Sequence, residues 1–221
     1  LKTIVYHQRL GDVLQCLPAA RYLAQTDEVQ IECLPQYKGV LDLVSYATWV
    51  APGQGAGERI ELEIWPKRYN DYRASGLSWM DFVYQHPAIA AADRRIVLDR
   101  VPDGPPPGLP DQYNLLAPMG ISQAWNYPTL DIQLKAEELM GDYLIMCEKQ
   151  YYFHRRHWTA DNVVQMAQAI KHADKFMTIN SSPVVLASAL RQNRPTYFLP
   201  QKEQWAQDNV APWPGRVDVE L

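Results

Sequence analysis

Short apolar runs alternate with stretches of helical periodicity along the chain. The first run, residues 3–6 (TIVY), suits a buried parallel strand and opens into a loop over residues 7–11. From Asp12 the apolar positions Val13, Leu14, Leu17, Ala20 and Ala24 recur at helical spacing. Asp12 therefore falls at the N-cap or in the first turn of a helix, and Pro18 inside that helix should bend it. Further strands are predicted at residues 29–34, 46–51, 60–65 and 95–98, with helices around 39–44 and 77–86. Strands alternating with helices indicate a parallel, doubly wound sheet.

The pattern breaks between residues 101 and 111. Pro102, Pro105, Pro106, Pro107 and Pro110, with Gly104 and Gly108, suit neither a helix nor a central strand, so this segment reads as a linker between two halves. Beyond it the alternation resumes: a strand at 113–117, a loop through Gly120 and Trp125, a strand at 143–147 and a helix from about 160 to 171. A strand, turn and helix over 176–190 follow, and a strand at 196–199 closes the second sheet.

The turn at Asn180, Ser181, Ser182 and Pro183 carries the clearest chemistry. A strand running directly into a helix presents free backbone N–H groups and the positive end of the helix dipole, which together suit an anion. Pro183 fits a first helical position that needs no N–H, and Ser181 or Ser182 can supply a capping hydroxyl. Ala187, Ser188 and Ala189 are small enough for close packing on a sheet.

Composition narrows the alternatives. With 221 residues, 47% of them hydrophobic, the chain can form one generous domain or two compact ones. A net charge of -4 gives no electrostatic case for nucleic acid as a partner. Cys16, Cys33 and Cys147 lie widely spaced in apolar surroundings and read as buried thiols of a reducing compartment, not a disulfide framework or metal site. No run approaches the roughly 18 apolar residues of a membrane span, and the start leads into a strand pattern with no secretory leader, so a cytoplasmic protein is expected.

The segment HQRLGDVLQCLPAARYLA resembles the opening of the heptosyltransferase-like glycosyltransferases: a strand, a Gly-Asp pair, then an apolar helix with a Pro-Ala step. The segment WTADNVVQMAQAIKHADKFMTINSSPVVLASALRQNRPTYFLP resembles a second region of the same family, in the same order. Together they cover about a third of the chain. The resemblance implies an α/β fold of two facing Rossmann-like domains (GT-B type) in a compact version, residues 1–105 on the acceptor side and 112–221 on the nucleotide-sugar side. It also implies metal-independent, inverting transfer of a sugar from a nucleotide diphosphate sugar to the hydroxyl of a glycan or other acceptor, with no cofactor beyond the nucleotide-sugar substrate.

By position, Asp12 is the candidate base, with His7, Arg9 and Gly11 in its loop; Gly11 suits a tight turn or a close ligand approach. Asn180, Ser181, Ser182 and Pro183 are the candidate diphosphate cradle. Two departures stand out. Val185 replaces the His that the family carries two residues after the turn proline, and the loop MGISQAWNYP lacks the family's cation. Arg155 and Arg156 are the substitutes on offer for charge on the leaving group, and Lys202 and Glu203 follow the last strand. The alternative is a degenerate relative that binds a nucleotide or glycan without turnover. Trp65, Tyr69, Tyr72, Trp79 and Tyr84 supply aromatics for packing or sugar stacking, and residues 66–75 read as a surface loop able to meet an acceptor.

Overall fold

The computed structural model describes residues 1–118, 130–147, 156–200 and 212–221. The chain divides into two compact units, with the boundary between Arg100 and Val101.

The first unit runs β1 (Lys2–Val5), α1 (Leu10–Gln15), α2 (Leu17–Leu23), β2 (Val29–Glu32), a 3-10 helix (Pro35–Leu43), β3 (Thr48–Val50), β4 (Glu58–Glu61), α3 (Tyr69–Ser75) and α4 (Trp79–Val83). Its sheet has the order β3-β2-β1-β4, with every pairing parallel. Val5 stands opposite both Glu32 and Glu61, so the carboxyl ends of three strands share one edge. Ile4, Val13, Leu14, Leu17, Ile31 and Ile60 fill the core between sheet and helices.

The helix predicted to bend at Pro18 is broken. α1 ends at Cys16, and Pro18 sits in the first turn of α2, where its missing N–H costs little. The Tyr84 hydroxyl occupies the break: it donates to the Gln15 carbonyl (2.9 Å) and accepts from the Ala19 amide (3.0 Å). A buried phenol thus takes the place of one helical hydrogen bond.

The second unit contains β5 (Leu115–Ala117), α5 (Leu130–Met140), β6 (Leu144–Met146), β7 (His157–Trp158), α6 (Val163–His172), β8 (Phe176–Ile179), α7 (Ser182–Leu190), β9 (Thr196–Leu199) and β10 (Arg216–Asp218). The sheet order β7-β6-β5-β8-β9-β10 is all parallel, and in the unit's own strand numbering it is 3-2-1-4-5-6. That is the doubly wound arrangement of a Rossmann-like unit, with its switch point between β5 and β8.

A fully buried arginine holds the helix side of this unit together. Arg191 donates to the carbonyls of Ile170 (2.9 Å), Ala173 (2.6 Å), Asp174 (3.2 Å) and Pro195 (2.9 Å) and to the Thr196 hydroxyl (3.2 Å). The guanidinium satisfies carbonyls at the C-terminal end of α6 and lies where the helix dipole favours a cation. Burial lowers its pKa to about 10, so it stays charged at neutral pH.

Several expectations are corrected here. Residues 95–98 form no strand, because side chains satisfy this segment: Tyr46 donates to the Val97 carbonyl, and Asp99 takes the Ser45 amide and hydroxyl. The segment at 66–75 is mostly helix, α3, ended by Gly76 in the left-handed conformation (φ 68°). β10 lies beyond β9, so residues 196–199 do not close the second sheet. The proline-rich stretch is bound to the second unit. Its carbonyls receive Lys171 Nζ at Val101, Gln168 Nε2 at Gly104 and Trp158 Nε1 at Pro107, while Lys171 pairs with Asp103 at 2.8 Å. Prolines offer acceptors without donors, and side chains of α6 and β7 meet them. Among the described residues no helix is long and apolar enough to cross a membrane.

Candidate functional site

The carboxyl edge of the first sheet gathers Asp12, His7, Arg9 and Gly11 around the start of α1. Arg9 occupies the N-cap position with extended backbone (φ -106°, ψ 152°) and an exposed side chain, and Asp12 lies in the first turn. The Asp12 carboxylate is not spent on capping. Its Oδ2 accepts the Tyr6 hydroxyl at 2.8 Å, and Tyr6 in turn accepts Trp79 Nε1 at 3.3 Å. Burial raises the Asp12 pKa to about 6, against the lowering effects of the Tyr6 hydrogen bond and the Arg9 charge. A carboxylate poised there can take up a proton near neutral pH. Gly11 is an ordinary helical residue, so turn freedom is not what selects it.

His7 is fixed by acidic groups. Its amide and its Nδ1 both meet Glu63 Oε1 (2.9 and 3.3 Å), and its Nε2 meets Glu32 Oε1 at 3.0 Å. A neutral imidazole donates through one nitrogen only, so both contacts are donated together when the ring is protonated. Glu32, with its side chain 1% exposed, also accepts Arg59 Nη1 (2.7 Å) and the Gly55 amide (3.2 Å). The Arg59 hydrogen bond leads the influences that hold its pKa down at about 2. A Cβ at Gly55 would stand 2.7 Å from this carboxylate, so a glycine is needed for the approach. The loop leading to Asp12 is therefore tied to the ends of β2 and β4.

In the second unit, β8 ends at Ile179 beside the switch point, and the turn from Asn180 to Pro183 starts α7 there. Asn180 is buried, and Ser181 and Ser182 are half-buried. Ser181 holds the N-cap position, but its hydroxyl donates backward to the Ile179 carbonyl (3.4 Å) and makes no cap bond. Pro183 is the second helical residue, not the first, and Val184 N–H bonds the Ser181 carbonyl at 3.1 Å. Val185, 3% exposed, packs into the core where the resembled family carries a polar ring.

Arg156 does not join this turn. It directly precedes β7 and lines an open cleft of about 250 Å³ with Pro110, Asn114, Asp142, Tyr143 and Asp174, at the amino edge of the sheet. Ligands of open α/β sheets collect at the opposite edge, where the Asn180 turn lies. The arginine faces Asp142 at 3.7 Å on the surface. Arg155, Lys202, Glu203 and the loop MGISQAWNYP lie outside the described residues.

Sequence reasoning did not single out Tyr6, Glu32, Glu63 and Arg59 for this candidate site, and took Trp79 only as an aromatic for packing or stacking. A signal existed for two of them. Tyr6 is the hydroxyl-bearing end of an apolar strand, and Glu32 interrupts the apolar run VQIECL at a carboxyl end.

No protein-family model matches the chain, and no curated protein matches its sequence. Its fold is similar to that of solved glycosyltransferases. TibC, an iron-containing dodecameric glycosyltransferase from enterotoxigenic E. coli H10407, superposes with a TM-score of 0.68 at 15% identity, over 98% of this chain and 61% of TibC. A family 9 glycosyl transferase from Veillonella parvula gives 0.62 at 9% identity, over 99% of this chain and 86% of that one. E. coli heptosyltransferase WaaC with ADP-2-deoxy-2-fluoro heptose gives 0.60 at 10% identity, over 99% and 92%. The chain spans about three-fifths of the length of TibC. Among its described residues no group of three or more His, Cys, Asp or Glu side chains is arranged to hold a metal ion. What the chain shares with these enzymes is the α/β fold of parallel sheets seen in heptosyltransferases and family 9 glycosyltransferases.

Proposed function

We propose that the chain is a glycosyltransferase of the GT-B type that moves a sugar from a nucleotide diphosphate donor to an acceptor hydroxyl. The observation that carries this is Asp12, a carboxylate with a raised pKa and one anchored oxygen, at the carboxyl edge of a parallel sheet. In the step, Asp12 takes the proton of the acceptor hydroxyl while that oxygen forms a bond to the anomeric carbon. The bond from that carbon to the diphosphate breaks, and its electron pair leaves with the nucleoside diphosphate. Attack opposite the leaving group inverts the anomeric centre. No metal takes part in this scheme. The start of α7, taken within its own unit, has first-turn amides and a dipole that suit a diphosphate.

The first donor to try is an ADP-activated heptose, because TibC has been solved with ADP-D-beta-D-heptose and WaaC with an ADP-fluoroheptose. A cytoplasmic setting fits the three buried free thiols. The test measures nucleoside diphosphate release from ADP-, GDP-, UDP-, CDP- and dTDP-sugars with glycan acceptors. One donor supports turnover in the wild type, and Asp12→Asn lowers its rate at least about a hundredfold. The buried apolar Val185 favours a second reading, a binding protein without turnover. Calorimetric binding of a nucleoside diphosphate with no sugar released by the wild type selects it.

A further inference from the structure

We propose that Tyr6 is the positioning residue for Asp12: its hydroxyl anchors Oδ2 and leaves Oδ1 as the atom that receives the acceptor proton. This rests on Asp12 as the base. The direction of the chain of hydrogen bonds is fixed by chemistry. The Trp79 indole can only donate, so its Nε1 gives to the Tyr6 oxygen at 3.3 Å, and the single phenolic hydrogen goes to Asp12 at 2.8 Å.

Both rings are packed in place. Tyr6 is 2% and Trp79 is 4% exposed, and they meet edge to face with centroids 5.5 Å apart at 67°. Among the described residues Oδ1 of Asp12 accepts no hydrogen bond, and Asp12 is half-buried. A carboxylate held by one oxygen cannot rotate freely about its last bond, so Oδ1 keeps one heading. Such orientation is what proton transfer to a positioned base requires.

The groups that act on Asp12 do not titrate near neutrality. Tyr6, Cys16 and Tyr72 are all shifted above their ordinary values, chiefly by burial, and the Arg9 guanidinium is the charge that favours the ionised Asp12. A change in Asp12 titration therefore reports on its own hydrogen bonds.

The experiment compares wild type with Tyr6→Phe, which keeps the ring and deletes the donor. Carbon-13 labelling of aspartate carboxyls follows the titration, with Asp12→Asn identifying the Asp12 signal; no ligand is needed. The Asp12 midpoint rises by about one pH unit in Tyr6→Phe, because the ionised form loses its hydrogen bond. The acid limb of kcat/KM moves by the same amount, and kcat falls about tenfold with KM unchanged. A loss of fold would lower all parameters without moving the limb. Trp79→Phe reads the chain from its other end: Tyr6 loses the donor that polarises it, and the midpoint rises by a smaller amount.

Midpoints that stay at the wild-type value in both variants, with Asp12→Asn inactive, overturn the positioning role alone. A wild-type rate in Asp12→Asn overturns the base assignment, and the role of Oδ1 falls with it, whatever the titration shows.

Discussion

Asp12 illustrates how one side chain can be tuned against stability. An acid with a native pKa of about 6 and an unfolded value near 3.8 binds more protons in the native state between those limits. Stability from this group is therefore full below about pH 4 and is lost as pH rises through 6. Asp12→Asn removes the penalty of ionisation and still offers Tyr6 an acceptor. We predict that denaturant unfolding shows the variant about 1–2 kcal/mol more stable than wild type at pH 8 and equal to it near pH 4. Glu32 works with the opposite sign. Its pKa falls from 4.5 to about 2, so its contribution is present above pH 4.5 and is lost as pH falls toward 2. Because Arg59 is partly open to solvent, Glu32→Gln should cost only about 1–2 kcal/mol at pH 7, with the difference shrinking steadily below pH 4.5. Equal stability of the two proteins at pH 7 would contradict this.

At the scale of elements, Arg191 joins the end of α6, the end of α7 and the start of β9. Removing it takes the donor from three buried acceptors, the Ile170 and Ala173 carbonyls and the Thr196 hydroxyl, and from two part-buried carbonyls, those of Asp174 and Pro195. Arg191→Met should destabilise the protein by about 3–5 kcal/mol, and Arg191→Lys should restore little, since three donors on one nitrogen cannot match a planar fork. Recovery of wild-type unfolding midpoints by the lysine variant would show that charge alone suffices.

Elements with strong periodicity were legible in the sequence: β1, β2, β8, α6 and α7 lie within or beside their predicted spans. α3 was read as loop because its residues, YNDYRAS, bury no side chain and so show no apolar face. α5 escaped notice although Ile132, Ala136 and Met140 form a buried row, because Leu130 and Leu134 are exposed and blur it. β7 and β10 are edge strands of two and three residues, too short to carry a pattern. The bend at Pro18 became a break because a tyrosine distant in sequence supplied the missing hydrogen bonds. No local window contains that information.

At the scale of the whole molecule, the sequence singled out Asp12 and the Asn180 turn as candidates, because each lies where an apolar strand passes into the helix that follows it. It did not locate what surrounds them. Tyr6, Glu32 and Glu63 reach the first sheet's carboxyl edge from separate segments through the parallel register, and Trp79 reaches it from the start of α4. Arg156 shows the reverse: proximity in sequence to a strand suggested a donor-site cation, yet the chain delivers it to the sheet's other edge.

A nucleoside diphosphate that binds the native state should raise the unfolding temperature in proportion to the logarithm of its concentration. Asp12→Asn should keep that shift, because the proposed anion cradle lies on the other unit. The most direct measurement of the central claim is the rate of nucleoside diphosphate release from the best donor by wild type and by Asp12→Asn, under conditions where both bind the nucleotide equally. The account predicts a rate lower by about a hundredfold or more in the variant; equal rates would contradict it.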